Sequence, residues 1–150
     1  MTSTILVVNG PNLNLLGERE PAVYGHETLA DIEKACRAKA AELGLAVDFR
    51  QSNSEAEIIA MIQAARRKAA GIVINAAGLT HSSVTILDAL QASGLPIIEV
   101  HLSNIFRREE FRHHSYVSRA ADGVICGLRG HGYVLALEAM ARLVGERSKA

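Results

Sequence analysis

Five short aliphatic, β-branched runs punctuate this chain, at Thr4–Asn9, Ala46–Gln51, Ile72–Asn75, Pro96–His101 and Val124–Cys126. Each is nearly continuous in apolar residues, the pattern of strands covered on both faces. The stretches between them carry helical spacing. Thr28–Leu43 has apolar residues at Leu29, Ile32, Cys36, Ala40 and Leu43, opens with Thr28-x-x-Asp31 and stops at Gly44. Ser54-x-x-Glu57 has the form of a capping box before Ile58, Met61, Ile62 and Ala65. Ser82 or Ser83 can cap a third helix ended by Gly94 and Pro96, and a last helix is predicted from about Tyr133 to Gly145. Strands alternating with helices imply an α/β fold, a parallel sheet with helices on both faces.

A chain of 150 residues suits one domain, here spanning 1–150. With zero formal net charge and no basic block, a nucleic-acid partner has little electrostatic support. No apolar run reaches the ~20 residues of a membrane helix, and no signal-peptide pattern precedes the first strand. The two cysteines, Cys36 on a helix stripe and Cys126 in a strand, lack metal-ligand spacing and are expected to be buried, reduced and inert. A cytoplasmic location, with no metal and no cofactor, is the expectation.

In doubly wound sheets, ligands bind beyond the carboxyl ends of the strands. Polar residues gather at those ends: Asn9 and Asn12 after the first, Asn75 and His81 after the third, His101 and Ser103 after the fourth. The segment Asn9–Gly25 adds Arg19 and Tyr24 between turn residues, and residues from about 18 to 26 read as a mobile lid. A free tyrosine titrates near 10, so running it as a base at neutral pH takes about 4 kcal/mol of selective phenolate stabilisation. Arg19, always charged, can supply part of that. Strand alternation puts Glu99 and His101 on one face, where the carboxylate can orient the ring and favour imidazolium, a proton donor. On residues alone, Tyr24 packing its loop and His101 serving structure remain open alternatives.

Asn9-Gly-Pro-Asn-Leu-Asn-Leu-Leu-Gly17, Arg19-Glu-Pro21 and Tyr24-Gly25 resemble the N-terminal signature of type II 3-dehydroquinate dehydratases. The resemblance continues in Gln51–Glu55, Asn75–Ser83, Glu99–Asn104, Arg108–Ser115 and Gly132–Leu137, in family order over nearly the whole chain. It implies a flavodoxin-like doubly wound five-stranded sheet ordered 2-1-3-4-5. It also implies a hydro-lyase that removes water from 3-dehydroquinate by anti elimination through an enolate. Tyr24 would take the C2 proton, helped by Arg19, and His101, oriented by Glu99, would protonate the departing C1 hydroxyl. Asn12 would hold a water against the enolate oxygen. Substrate binding would fall to Asn75, His81, Asp88, Leu102, Ser103 and Arg112. The family pattern further implies a homo-oligomer, a dodecamer of four trimers in which Asp88 approaches a neighbour's site. The step serves aromatic biosynthesis and quinate breakdown alike.

A Schiff-base route is disfavoured, because Lys34, Lys39, Lys68 and Lys149 all fall on helical stretches or the tail. A nucleotide- or flavin-binding module lacks the G-x-G-x-x-G it would need after the first strand. A hydrolase using Ser82 or Ser83 with His81 and Asp88 lacks the G-x-S-x-G elbow. His26, His113, His114 and His131 are expected to be accessory or structural. Ala76-Ala77, Ile105-Phe106-Arg107 and the glycine-rich turn Gly127–Gly132 depart mildly from the family pattern and bear on affinity rather than on reaction class.

Overall fold

The computed structural model of the chain describes residues 2–149. Five strands form one parallel sheet: β1 (Ser3–Asn9), β2 (Leu45–Gln51), β3 (Gly71–Asn75), β4 (Ile97–His101) and β5 (Gly123–Cys126). Their order is β2-β1-β3-β4-β5, the flavodoxin-like arrangement. Alternation along β1 feeds both cores. Ile5 and Val7 pack with Ile32, Cys36 and Ala40 of α2 (Leu29–Glu42). Tyr133, Leu137 and Met140 of α5 (His131–Ser148) complete that layer. Leu6 and Val8 face Ile58 and Ile62 of α3 (Glu55–Lys68), and Ile86 and Leu90 of α4 (Val84–Ser93).

Continuous burial holds along β3 and β4, while β2 and β5 are half-buried. The expectation of two covered faces therefore fails for those two. They are the sheet edges, each with a strand neighbour on one side only. Cys126, on the edge strand, is accordingly half-exposed rather than buried; Cys36 is buried, and that burial pushes its thiol up to about 12.

The caps show how local sequence stops and starts these elements. Thr28 and Asp31 form the reciprocal capping box. At Ser54 only half of it forms: the hydroxyl accepts from the Glu57 N–H, but the Glu57 carboxylate turns to the Ser52 hydroxyl instead. Ser83, not Ser82, caps α4, accepting from the Ile86 N–H. The last helix starts two residues earlier and runs three residues further than its apolar spacing suggested. Within the expected lid, Pro21–Tyr24 closes one helical turn, α1, with proline at its start.

Candidate active site

The carboxyl ends of β1 and β3 lie side by side where the strand order reverses, with Asn9 opposite Asn75. The chain leaves β1 through Gly10, whose N–H donates to the Asn75 carbonyl. An added Cβ at Gly10 would lie 2.5 Å from the Ala76 carbonyl oxygen, so only glycine fits this crossing. Asn12 then takes a left-handed conformation (φ 72°), which asparagine tolerates, and its N–H donates to the Asn53 side chain. Gln51 donates to the Gly10 carbonyl, tying the loop to the end of β2.

A cavity of about 200 Å³ opens at this edge. Asn12, Arg19 and Tyr24 line it from the first loop, and Asn75 and His81 from the end of β3. His101, Leu102 and Ser103 enter from the end of β4, with Arg112 and Arg108 from the segment that follows. Nine of the eleven expected site residues thus share one cavity.

Glu99 stands behind His101 rather than in the cavity. Its carboxylate accepts from His101 Nε2, from Ser115 Oγ at 2.8 Å and from Ser118 Oγ at 2.5 Å. Burial works against its charge, yet hydrogen bonds from His101 and Ser118, with Ser115, hold the carboxyl below the usual glutamate range. His101 is 4% exposed, and with Nε2 committed to Glu99 it has Nδ1 left for the cavity. A carboxyl whose folded pKa is depressed contributes stability above its unfolded pKa of 4.5, lost as pH falls through the lower folded value. Below about pH 4.5, wild type should therefore lose stability more steeply than Glu99→Gln. Urea midpoints across the acid range would check this; parallel slopes would show that Glu99 carries no such charge.

His81 Nδ1 donates to the His114 carbonyl at 2.8 Å, so the neutral ring presents Nε2 as an acceptor. Its pKa is lowered, chiefly by burial, with charge repulsion from the neighbouring His101 and Arg112 adding to the effect. Its ring stacks on that of His101, centroids 6.4 Å apart.

Around Tyr24 the sequence reading missed one group. The Arg19 guanidinium carbon lies 5.0 Å from the ring centroid, as expected, but Arg108 approaches to 5.2 Å and also donates to Ser103 Oγ at 3.4 Å. Nothing in the spacing of Arg108 marks it, since its approach depends on how the segment after β4 folds back. Tyr133 is fully buried, and burial drives its phenol above the ordinary range. That removes it as a base.

Asp88 is not part of this cavity within one chain; it is exposed on α4. The four lysines do not line the cavity either. Ser83 is spent on its helix cap, and among the described residues no hydrogen bond joins His81 to Ser82, Ser83 or Asp88. His26, His113, His114 and His131 are exposed and outside the cavity.

The profile of the family described as class II dehydroquinase matches residues 3–141. A protein of Pseudomonas putida named 3-dehydroquinate dehydratase 2 is 60% identical over 148 residues, covering 99% of both chains. A 3-dehydroquinate dehydratase of Methylobacterium radiotolerans is 58% identical over 143 residues, 95% of this chain and 96% of its own. The crystal structure of a type II dehydroquinase from Propionibacterium acnes superposes with a TM-score of 0.91 at 46% identity, covering 95% of this chain and 98% of that one. With the 2-1-3-4-5 sheet and a polar cavity at its strand ends, these similarities leave one assignment: the chain belongs to the class II dehydroquinase family.

Proposed function

We propose that this enzyme dehydrates 3-dehydroquinate to 3-dehydroshikimate by anti elimination through an enolate. The observation that carries the reading is one cavity holding a tyrosine between two guanidinium groups and a histidine bonded to a buried carboxylate. Tyr24, with a guanidinium group over its ring from each of Arg19 and Arg108, is the base for the C2 proton. His101, its Nε2 bonded to the Glu99 carboxylate, gives its Nδ1 proton to the leaving C1 hydroxyl. Asn12 holds a water against the enolate oxygen as charge develops there.

The backbone amides of Leu102 and Ser103, with Asn75 and the Ser103 hydroxyl, take the substrate carboxylate. Arg112 and the His81 acceptor nitrogen hold ring hydroxyls. Arg112 is kept in place by the Glu109 carboxylate, whose pKa that bond lowers. Residues from about 18 to 26 act as the lid, with Gly25 (φ +88°) as a turning point that other residues adopt only under strain. The reading is tested by following ultraviolet absorbance with 3-dehydroquinate, because the product is a conjugated enone. A steady rise is expected, and none between about pH 6 and 9 would refute it.

Arg19 acts through charge and shape together. Arg19→Ala should lower kcat by about 100-fold, and Arg19→Lys by less, since it keeps the charge without the planar fork. Equal rates in the two variants would show that charge beside Tyr24 is irrelevant.

The same reading makes Asp88 a residue of the neighbouring subunit's site, within trimers that assemble four to a dodecamer. One interface change then repeats in every subunit. Asp88→Arg should weaken the trimer and lower activity together, read by light scattering and the same assay. A fully active monomer would remove both the assembly and the shared-site role.

A further inference from the structure

Three buried polar side chains from distant parts of the chain meet beneath the cavity: Asn9 at the end of β1, Asn75 at the end of β3 and Tyr133 near the start of α5. Asn9 Nδ2 donates to the Arg50 carbonyl at 3.0 Å. A carbonyl accepts only, so the amide of Asn9 is oriented and its Oδ1 is the acceptor for the Tyr133 hydroxyl, at 2.6 Å. With its hydrogen given to Asn9, the Tyr133 oxygen accepts from Asn75 Nδ2 at 3.0 Å. At the far end, the Ala77 N–H donates to Asn75 Oδ1 at 3.1 Å, and an N–H donates only. A backbone carbonyl at one end and a backbone N–H at the other therefore set the direction of every bond between them.

Turning the Asn75 amide over would break this chain twice. Its oxygen would face the oxygen of Tyr133, and its NH2 would face the N–H of Ala77. Both clashes would be buried, where an unpaired polar group costs most.

From this geometry we infer that Tyr133 and Asn9 are positioning residues that lock the Asn75 amide so that it offers the cavity a donor rather than an acceptor. Asn75 lines the cavity with one N–H beyond the one given to Tyr133. The group this N–H would bind is a hydrogen-bond acceptor, such as a carboxylate. The inference rests on the reading of Asn75 as a substrate contact.

Steady-state kinetics with 3-dehydroquinate on five variants test it. Tyr133→Phe keeps the ring volume in the core and removes only the hydroxyl. It should raise KM about tenfold and leave kcat within about threefold, since a binding contact is loosened rather than a reacting group removed. Asn9→Ala, one step further from the cavity, should raise KM in the same way, because the Tyr133 hydrogen is then free to turn toward Asn75. In the double variant Tyr133→Phe with Asn75→Ala, KM should equal that of Asn75→Ala alone. Met140→Ala, a core change on the same helix, should lower the melting temperature without raising KM.

If Asn75→Ala leaves KM unchanged, the substrate contact itself is refuted and the inference falls with it. If Asn75→Ala raises KM while Tyr133→Phe and Asn9→Ala do not, the contact stands and the positioning role is overturned. An additive double variant, or a KM rise in Met140→Ala matching that of Tyr133→Phe, overturns it as well. Should Tyr133→Phe fail to fold, the Asn9→Ala comparison decides alone.

Discussion

Tyr24→Phe should lower kcat by about 10²- to 10⁴-fold while leaving KM within about threefold. The ring sits half-buried against the core layer that contains Ile5 and Val7, so phenylalanine preserves the packing of α1 and the lid. What disappears is the one oxygen able to become a base between Arg19 and Arg108. Neither of the other tyrosines can stand in: Tyr133 is buried with its hydrogen given to Asn9, and Tyr116 lies outside the cavity. Stopped-flow or steady-state turnover with 3-dehydroquinate checks this. Near-wild-type kcat would show that another group takes the proton.

His101→Ala should be the other severe lesion, again about 10²- to 10⁴-fold in kcat, and it should change the basic limb of the pH–rate profile, where an acid loses its proton. Two consequences follow from one truncation. The leaving hydroxyl loses its proton donor, and Glu99 is left as a buried carboxylate held only by Ser115 and Ser118. Glu99→Gln separates them, since it keeps the ring while removing the carboxylate charge bonded to it. Its loss of kcat should be smaller than that of His101→Ala. A pH profile unchanged in both variants would assign the acid elsewhere.

The positions of strands and the polar edge were legible because they depend on residues close in sequence. A β-branched run such as Ile72–Asn75 declares a strand locally, and the polar tips of β1, β3 and β4 declare an edge once the strands are parallel. The same logic placed Glu99 and His101 on one face. Strand order was not legible from the runs themselves, since pairing depends on which helices cover which face; it came with the family resemblance. What the sequence reading lacked were contacts closed by the fold. Arg108 reaches Tyr24 only when the segment after β4 turns back over the cavity. Tyr133 looked like the ordinary start of a helix, yet its hydroxyl finds Asn9 and Asn75 across the sheet. Glu57 shows the reverse failure: the capping-box pattern was correct, but a nearby Ser52 hydroxyl competed for the carboxylate and won. Exposure of Cys126 followed from its place on an edge strand, which no local pattern encodes.

The most direct measurement uses 3-dehydroquinate carrying deuterium stereospecifically at C2, with product formation followed by absorbance and the label by mass spectrometry. Anti elimination through Tyr24 and His101 should release the hydrogen on the face opposite the departing C1 hydroxyl, and borohydride added during turnover should leave no covalent mass on the protein. Loss of the hydrogen on the same face, together with a reduced adduct on Lys34, Lys39 or Lys68, would mean an imine route and would contradict the enolate mechanism.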